Sequence, residues 1–231
     1  MTGDLRDLLA GPTLDAGRGL LGARLVRHDR TGLRLGRIVE VEAYIGEDDR
    51  ASHARFGRTA RNAVMYGPPG TAYVYLVYGM HDCLNIVTEP VGTPAALLVR
   101  AVEPLEGLDL MRESRDRRAG ERRRVAAPIV TKAGPSDARL GSGPGLVCAI
   151  FGIDRGLTGA DLLDRHAAVH LEPRPDDEPA LDVVATERVG IAYAGEPWAS
   201  RPWRLSIAGN PSVSRPLPWA PARRPVRPHA G

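Results

Sequence analysis

The segment Gly36–Tyr44, GRIVEVEAY, constrains the chain more than any other. Strand side chains alternate between faces, so this spacing predicts a β-strand with Val39, Val41 and Ala43 on one side and Ile38, Glu40, Glu42 and Tyr44 on the other. One face is apolar and must be buried. The opposite face presents two carboxylates beside a tyrosine, an arrangement that a purely structural strand has little reason to keep.

Further strands are predicted around this one. Ala23–His28 precedes it across the turn-like DRTG. TAYVYLVYGM reads as a strand by its β-branched and aromatic content and is ended by Gly79. Cys83–Thr88 follows, then Ala96–Val102, apolar enough to be central. Two last strands are expected at Glu187–Ile191 and Trp203–Ile207. Helices are expected at Thr13–Leu21, with Pro12 or Thr13 at its start and Gly22 past its end, at Pro104–Arg112, and at Gly145–Phe151 after the GSGPG run. The Gly-, Asp-, Arg- and Asn-rich stretch from Gly46 to Pro69 reads as loop, with a helical turn near Ser52–Arg55. The expectation is one α+β domain on a mixed, mostly antiparallel sheet with flanking helices, spanning residues 12–214. An N-terminal arm (1–11) precedes it and a disordered Pro/Arg-rich tail (215–231) follows.

With 231 residues, 43% hydrophobic and 26% charged, the chain suits one domain with a sizeable core. No apolar run approaches the roughly 18 to 20 residues that cross a bilayer, and MTGDLRDLLAGPTLD carries acids where a signal peptide would be basic and then apolar. A soluble, cytoplasmic protein without membrane contact is expected. Cys83 and Cys148 lack CxxC spacing and read as buried apolar residues. A net charge of +3 and a pI near 9.1 argue only weakly for nucleic acid. Arginine supplies nearly all of the positive charge, and Lys132 is the only lysine. The arginine-rich stretch Arg112–Arg124 reads as a solvated, mobile loop. An enzyme that also nicks the strand commonly needs an amine for a Schiff base, and here only Lys132 and the N-terminus are ordinary candidates.

Five of the six tyrosines (Tyr44, Tyr66, Tyr73, Tyr75 and Tyr78) fall in one segment of a chain poor in aromatics. Tyr73 and Tyr75 point the same way. If a neighbouring strand carries Tyr44 on that face, two rings can clamp a third flat object, and base–aromatic stacking is worth about 1–3 kcal/mol. Tyr78 has the opposite parity and sits against the Gly79 turn, where a side chain can protrude. Glu42 lies between the supposed walls of the clamp with His53 a loop away, and Glu40 competes for the same role. His53, His81 and Cys83 lack metal-ligand spacing, so no metal site is expected.

Beyond these readings, GRIVEVEAYIGEDDRASHARFGRTARNAVMYGPPGTAYVYLVYGMHDCLNIVTEP closely resembles the alkyladenine (3-methyladenine) DNA glycosylases. The likeness continues through ALLVRAVEPLEGLDLMR, GSGPG and RVGIAYAGE and covers essentially Pro12 to Ser214. The resemblance implies that Glu42, rather than Glu40, deprotonates the attacking water, with Arg100 near that water. It implies a base pocket of Tyr44, His53, Tyr73, Tyr75 and Asn85, and a wedge into the duplex from Tyr78 and Met80. It implies no cofactor, a monomer, and double-stranded DNA containing damaged purines as substrate. Many relatives carry a lysine where this chain has Leu146, so one phosphate contact is expected to be missing. Two other classes are consistent with parts of the sequence: a non-catalytic aromatic and arginine surface that stacks exposed bases, and a small-molecule hydrolase using Glu42 and His53.

Overall fold

A computed structural model describes residues 4–123 and 136–214, and Lys132 and the 215–231 tail lie outside them. Its eight strands are β1 (Arg24–Asp29), β2 (Gly32–Ile45), β3 (Ala72–Val77), β4 (His81–Val87), β5 (Ala95–Glu106), β6 (Val169–Glu172), β7 (Val183–Thr186) and β8 (Arg204–Ile207). The sheet runs β3-β4-β5-β2-β1-β6, with β8 on β2 and β7 on β8, and every one of these pairings is antiparallel. The long β2 organises it. One edge pairs with β5 from Leu35 to Ile45, while the other pairs first with β1 and then, at Glu40–Glu42, with β8.

The alternation read from GRIVEVEAY is interrupted at its centre. Opposite β5, Ile38 pairs with Val102, Glu40 with Ala101 and Val41 with Val99, so Val39 on β2 and Arg100 on β5 fall outside the register. Bulges of this kind re-aim side chains. Here the bulge delivers Arg100 to the two glutamates of the facing strand.

Four helices cover the sheet: α1 (Leu5–Ala10), α2 (Thr13–Leu20), α3 (Leu108–Arg123) and α4 (Pro144–Phe151). The acid Asp4 caps α1, and Leu9 is fully buried in the core. Gly17 of α2 sits so close to the sheet that an added Cβ would lie 3.0 Å from Leu205 and 3.2 Å from Leu97. Pro12 cannot cap α2 with its side chain, and Glu89 does so instead, accepting from the Thr13 N–H at 3.2 Å and its hydroxyl at 2.5 Å. α4 starts with Pro144 at its first turn and ends on left-handed Gly152.

Three expectations change. The arginine-rich stretch continues α3 through Arg123 instead of forming a loop, because arginine is a good helix former and Met111, Ser114 and Arg118 line one face. Arg118 there donates to the Ile153 carbonyl and pairs with Asp82 at 3.2 Å. Pro104 and Leu105 belong to the end of β5, and the helix begins only at Leu108 after Gly107. Residues 187–191 are not a strand; the strand lies at Val183–Thr186, and the following backbone turns inward to serve the site described next. No described helix is long and apolar enough to cross a membrane.

Candidate active site

The carboxylate face of β2 is not solvated. Glu40 and Glu42 are both fully buried, sealed by chain that arrives more than 140 residues later. Glu42 accepts from the Val189 N–H at 2.7 Å through one oxygen and from the Tyr44 hydroxyl at 2.9 Å through the other. Arg100 joins the two acids, its Nε 3.0 Å from Glu40 and a terminal nitrogen 3.2 Å from Glu42. Glu40 is held by fixed partners: it accepts from Arg100 and from both the N–H and hydroxyl of Ser214 at 2.6 and 2.9 Å, and forms an ion pair with Arg204 at 2.8 Å. Two arginines thus balance two carboxylates in a closed space. Glu40 is a fastening, whereas Glu42 stands one hydrogen bond from the rings.

Burial drives the Glu42 carboxyl above its ordinary value of 4.5, and Arg100, the Val189 amide and the Tyr44 hydroxyl oppose that rise. A carboxylate whose proton affinity is raised while it stays paired to a cation is suited to accept a proton.

Tyr44, His53, Tyr73, Tyr75 and Asn85 line one cavity, together with Ala51, Met65 and Ala96. Tyr73 and Tyr75 share a face of β3, as their parity requires, with ring centroids 5.5 Å apart. His53 enters on a 3₁₀ turn, His53–Phe56, capped by the Ser52 hydroxyl. Its Nδ1 lies 2.9 Å from the Tyr73 hydroxyl and its ring meets Tyr75 edge-on at 4.4 Å. Burial first, then the charges of Arg61 and Arg55, pull the imidazole down to about 4, so it is neutral at physiological pH. Asn85 donates its amide to the Tyr73 carbonyl at 3.0 Å. The cavity holds about 20 Å³, room for about one water molecule. A flat ring system enters only if the walls part.

Tyr78 and Met80 stand outside this group, on the three-residue turn joining β3 to β4. Tyr78 and Gly79 both have positive φ, 52° and 68°, and Met80 N–H closes the turn on the Val77 carbonyl at 3.0 Å. The tyrosine is 86% exposed and the methionine 55%. A large apolar ring held in solvent by a backbone conformation that costs a non-glycine residue about 1–2 kcal/mol points to a partner that covers it.

Sequence reasoning missed the support behind the pocket. Arg188 and Asp49, both wholly buried, form a two-pronged pair at 2.6 and 2.9 Å. The Arg188 guanidinium also lies 4.7 Å from the Tyr44 ring centre and 5.0 Å from that of Trp203. Arg188 bonds the Ala43 carbonyl as well, so the segment that supplies the Val189 N–H is anchored to β2 by a side chain. Only the bare RVG and EDD motifs hinted at this, and nothing local links residues 139 positions apart. Among the described residues, no group of three or more His, Cys, Asp or Glu side chains is placed to hold a metal ion.

With this geometry in view, the family model for methylpurine-DNA glycosylase matches residues 7–211. A protein of Methanocella arvoryzae named "Putative 3-methyladenine DNA glycosylase" is 46% identical over 92% of this chain and 96% of its own length. The Myxococcus xanthus protein of the same name is 43% identical over 93% and 94%. The human DNA-3-methyladenine glycosylase is 44% identical over 88% of this chain and 65% of its own length. The chain belongs to the methylpurine-DNA glycosylase family, hydrolases of the N-glycosidic bond.

Proposed function

We propose that this chain is a monofunctional glycosylase, acting as a monomer, that extrudes alkylated or deaminated purines of the 3-methyladenine, hypoxanthine and ethenoadenine class from double-stranded DNA. Glu42 deprotonates the water that attacks C1′. The observation that carries the reading is a sealed carboxylate hydrogen-bonded to a tyrosine whose ring walls an aromatic cavity. C1′ is out of reach within a stacked duplex, so the nucleotide swings out at a cost of a few kcal/mol. Tyr78 and Met80 fill the gap it leaves. Tyr44 and Tyr75 clamp the base, and the neutral His53, held by Tyr73, offers a hydrogen bond without a competing charge. Parting the walls admits water to Glu42. Arg100 keeps the carboxylate ionised enough to take a proton as the sugar gains oxocarbenium character. Asn85, on the pocket wall, contributes to the choice of base. The scheme calls on no cofactor.

Duplexes carrying hypoxanthine or ethenoadenine test it. The expected products are a free base and an intact strand that breaks only on alkali treatment. A strand nicked without alkali overturns the monofunctional reading, and chemically untouched duplexes overturn the whole of it.

The strained turn yields a sharper expectation. Tyr78→Gly relieves left-handed strain, so it is expected to raise unfolding free energy by about 1 kcal/mol and to weaken lesion-duplex binding at the same time. Denaturant unfolding and duplex titration check the two signs together. A destabilised variant that binds normally contradicts both assignments.

A further inference from the structure

The turn that carries Tyr78 and Met80 stands at the end of an unsupported length of sheet. β4 pairs with β5 only from Asn85 to Val87, so Val74–Val77 and His81–Leu84 run on as a ribbon of two strands with the turn at its tip. A two-stranded ribbon is only marginally stable in water by itself. This one must also press a ring into stacked bases, against the few kcal/mol that extrusion costs. The wedge therefore depends on what braces the ribbon.

Two helices and a turn grip it. Asp82, two residues beyond Met80, is of a type that strands disfavour, and its side chain is only 13% exposed. Arg118 of α3, 15% exposed, reaches one Asp82 oxygen at 3.2 Å while also donating to the carbonyl of buried Ile153. Arg155, on the 3₁₀ turn Arg155–Leu157, stands 3.7 Å from the other oxygen. Just past that turn, the Thr158 hydroxyl accepts from the Val74 N–H and donates to the Val74 carbonyl of β3, both at 3.1 Å. From the α4 side, a Cβ added to Gly145 would lie 2.8 Å from His81 Nδ1.

We propose that Asp82 and Arg118 are positioning residues for base extrusion: their ion pair ties the ribbon to α3, so that Tyr78 and Met80 meet the duplex as a rigid tip. The inference rests on the excision reading and deepens it. Neither residue lines the base pocket, so the pair acts through the wedge and not on the reacting atoms. A hinged tip yields when pressed against stacked bases, whereas a tied one spends less binding energy on being ordered and more on unstacking. The arginine-rich helix thereby gains a task that the pocket chemistry does not give it.

The test is a cycle in which the wedge is one corner. Hypoxanthine duplexes are used in single-turnover excision at sub-saturating enzyme, which reads every step from free DNA to cleavage, and at temperatures where all variants remain folded. Asp82→Asn keeps the shape of the side chain and is expected to lower this efficiency about 3- to 30-fold. Arg118→Met breaks the same pair from the helix side and is expected to match that loss, with the double variant losing no more than either alone. In a Tyr78→Ala/Met80→Ala background, where no wedge remains to be held, Asp82→Asn is expected to cost less than about twofold.

The proposal is overturned if either single variant excises like wild type. It is overturned equally if Asp82→Asn costs the same factor with and without the wedge, since the residue would then act through the fold at large. It also falls if Arg118→Met flattens the salt dependence of duplex binding by about one contact, which would make Arg118 a phosphate ligand. If the background variant alone matches wild type, the wedge reading fails and takes the proposal with it. Should wild type release no base, the excision reading fails separately, and anisotropy titration of the same duplexes reads the cycle.

Discussion

Glu42→Gln is expected to bind lesion-bearing duplexes as the wild type does and to excise the base about 10²- to 10⁴-fold more slowly. The glutamine fills the same space, and its carbonyl can still accept from the Val189 N–H. Its amide can face the Tyr44 hydroxyl, with the phenol turned to accept. Arg100 keeps Glu40 and Ser214 as partners, but two buried arginines are then left with one carboxylate, so a lower melting temperature is expected beside the lost activity. At temperatures where the variant stays folded, the pocket keeps its shape while the proton acceptor is lost. Single-turnover kinetics at saturating enzyme checks the rate and duplex titration the affinity. Near-normal excision removes Glu42 from the chemistry.

The second large effect lies away from the reacting atoms. Asp49→Asn keeps the shape of the side chain but leaves Arg188 as an uncompensated charge in a site closed to water on all sides. Breaking one partner of such a pair costs about 3–5 kcal/mol, which for a chain of this size lowers the Tm by roughly 6–20 °C. The loss reaches function because Arg188 anchors the segment that presents Val189 to Glu42 and lies against the ring of Tyr44. Excision should therefore weaken even at temperatures where the variant remains folded. The surface pair of Arg6 and Asp161, each about half exposed at 48%, is the natural control. Arg6→Ala is expected to shift stability by less than about 1 kcal/mol. Equal melting shifts for the two variants would show that burial of the Arg188–Asp49 pair carries no special energy.

Much of this was legible in order along the chain. The strand positions from Arg24 to Val102, the shared face of Tyr73 and Tyr75, and the protruding Tyr78 all follow from alternation and from the glycine that ends β3. Local pattern could also say that Glu40 and Glu42 share a face. It could not choose between them. What sets their surroundings apart is which partners reach each acid, and Arg204 and Ser214 come from the far end of the sequence to occupy Glu40. The same remoteness hid the Arg188–Asp49 pair and the Val189 amide. The misread helix has a different cause: arginine density signals a solvated surface, but it does not exclude a helix, and three contact positions suffice to dock one. The bulge that frees Arg100 leaves no mark in either strand's sequence, since it arises only from how the two strands pair.

The pH dependence of single-turnover excision tests the central claim most directly. Because burial raises the Glu42 carboxyl above 4.5, its proton-accepting form is lost at a higher pH than an ordinary glutamate's. Wild type should therefore lose activity on acidification at a higher pH than the titration of an ordinary glutamate would give, and regain it as pH rises. The residual activity of Glu42→Gln should lack that limb. An identical acid limb in the variant would mean that some other group titrates, and that Glu42 is not the base that activates water.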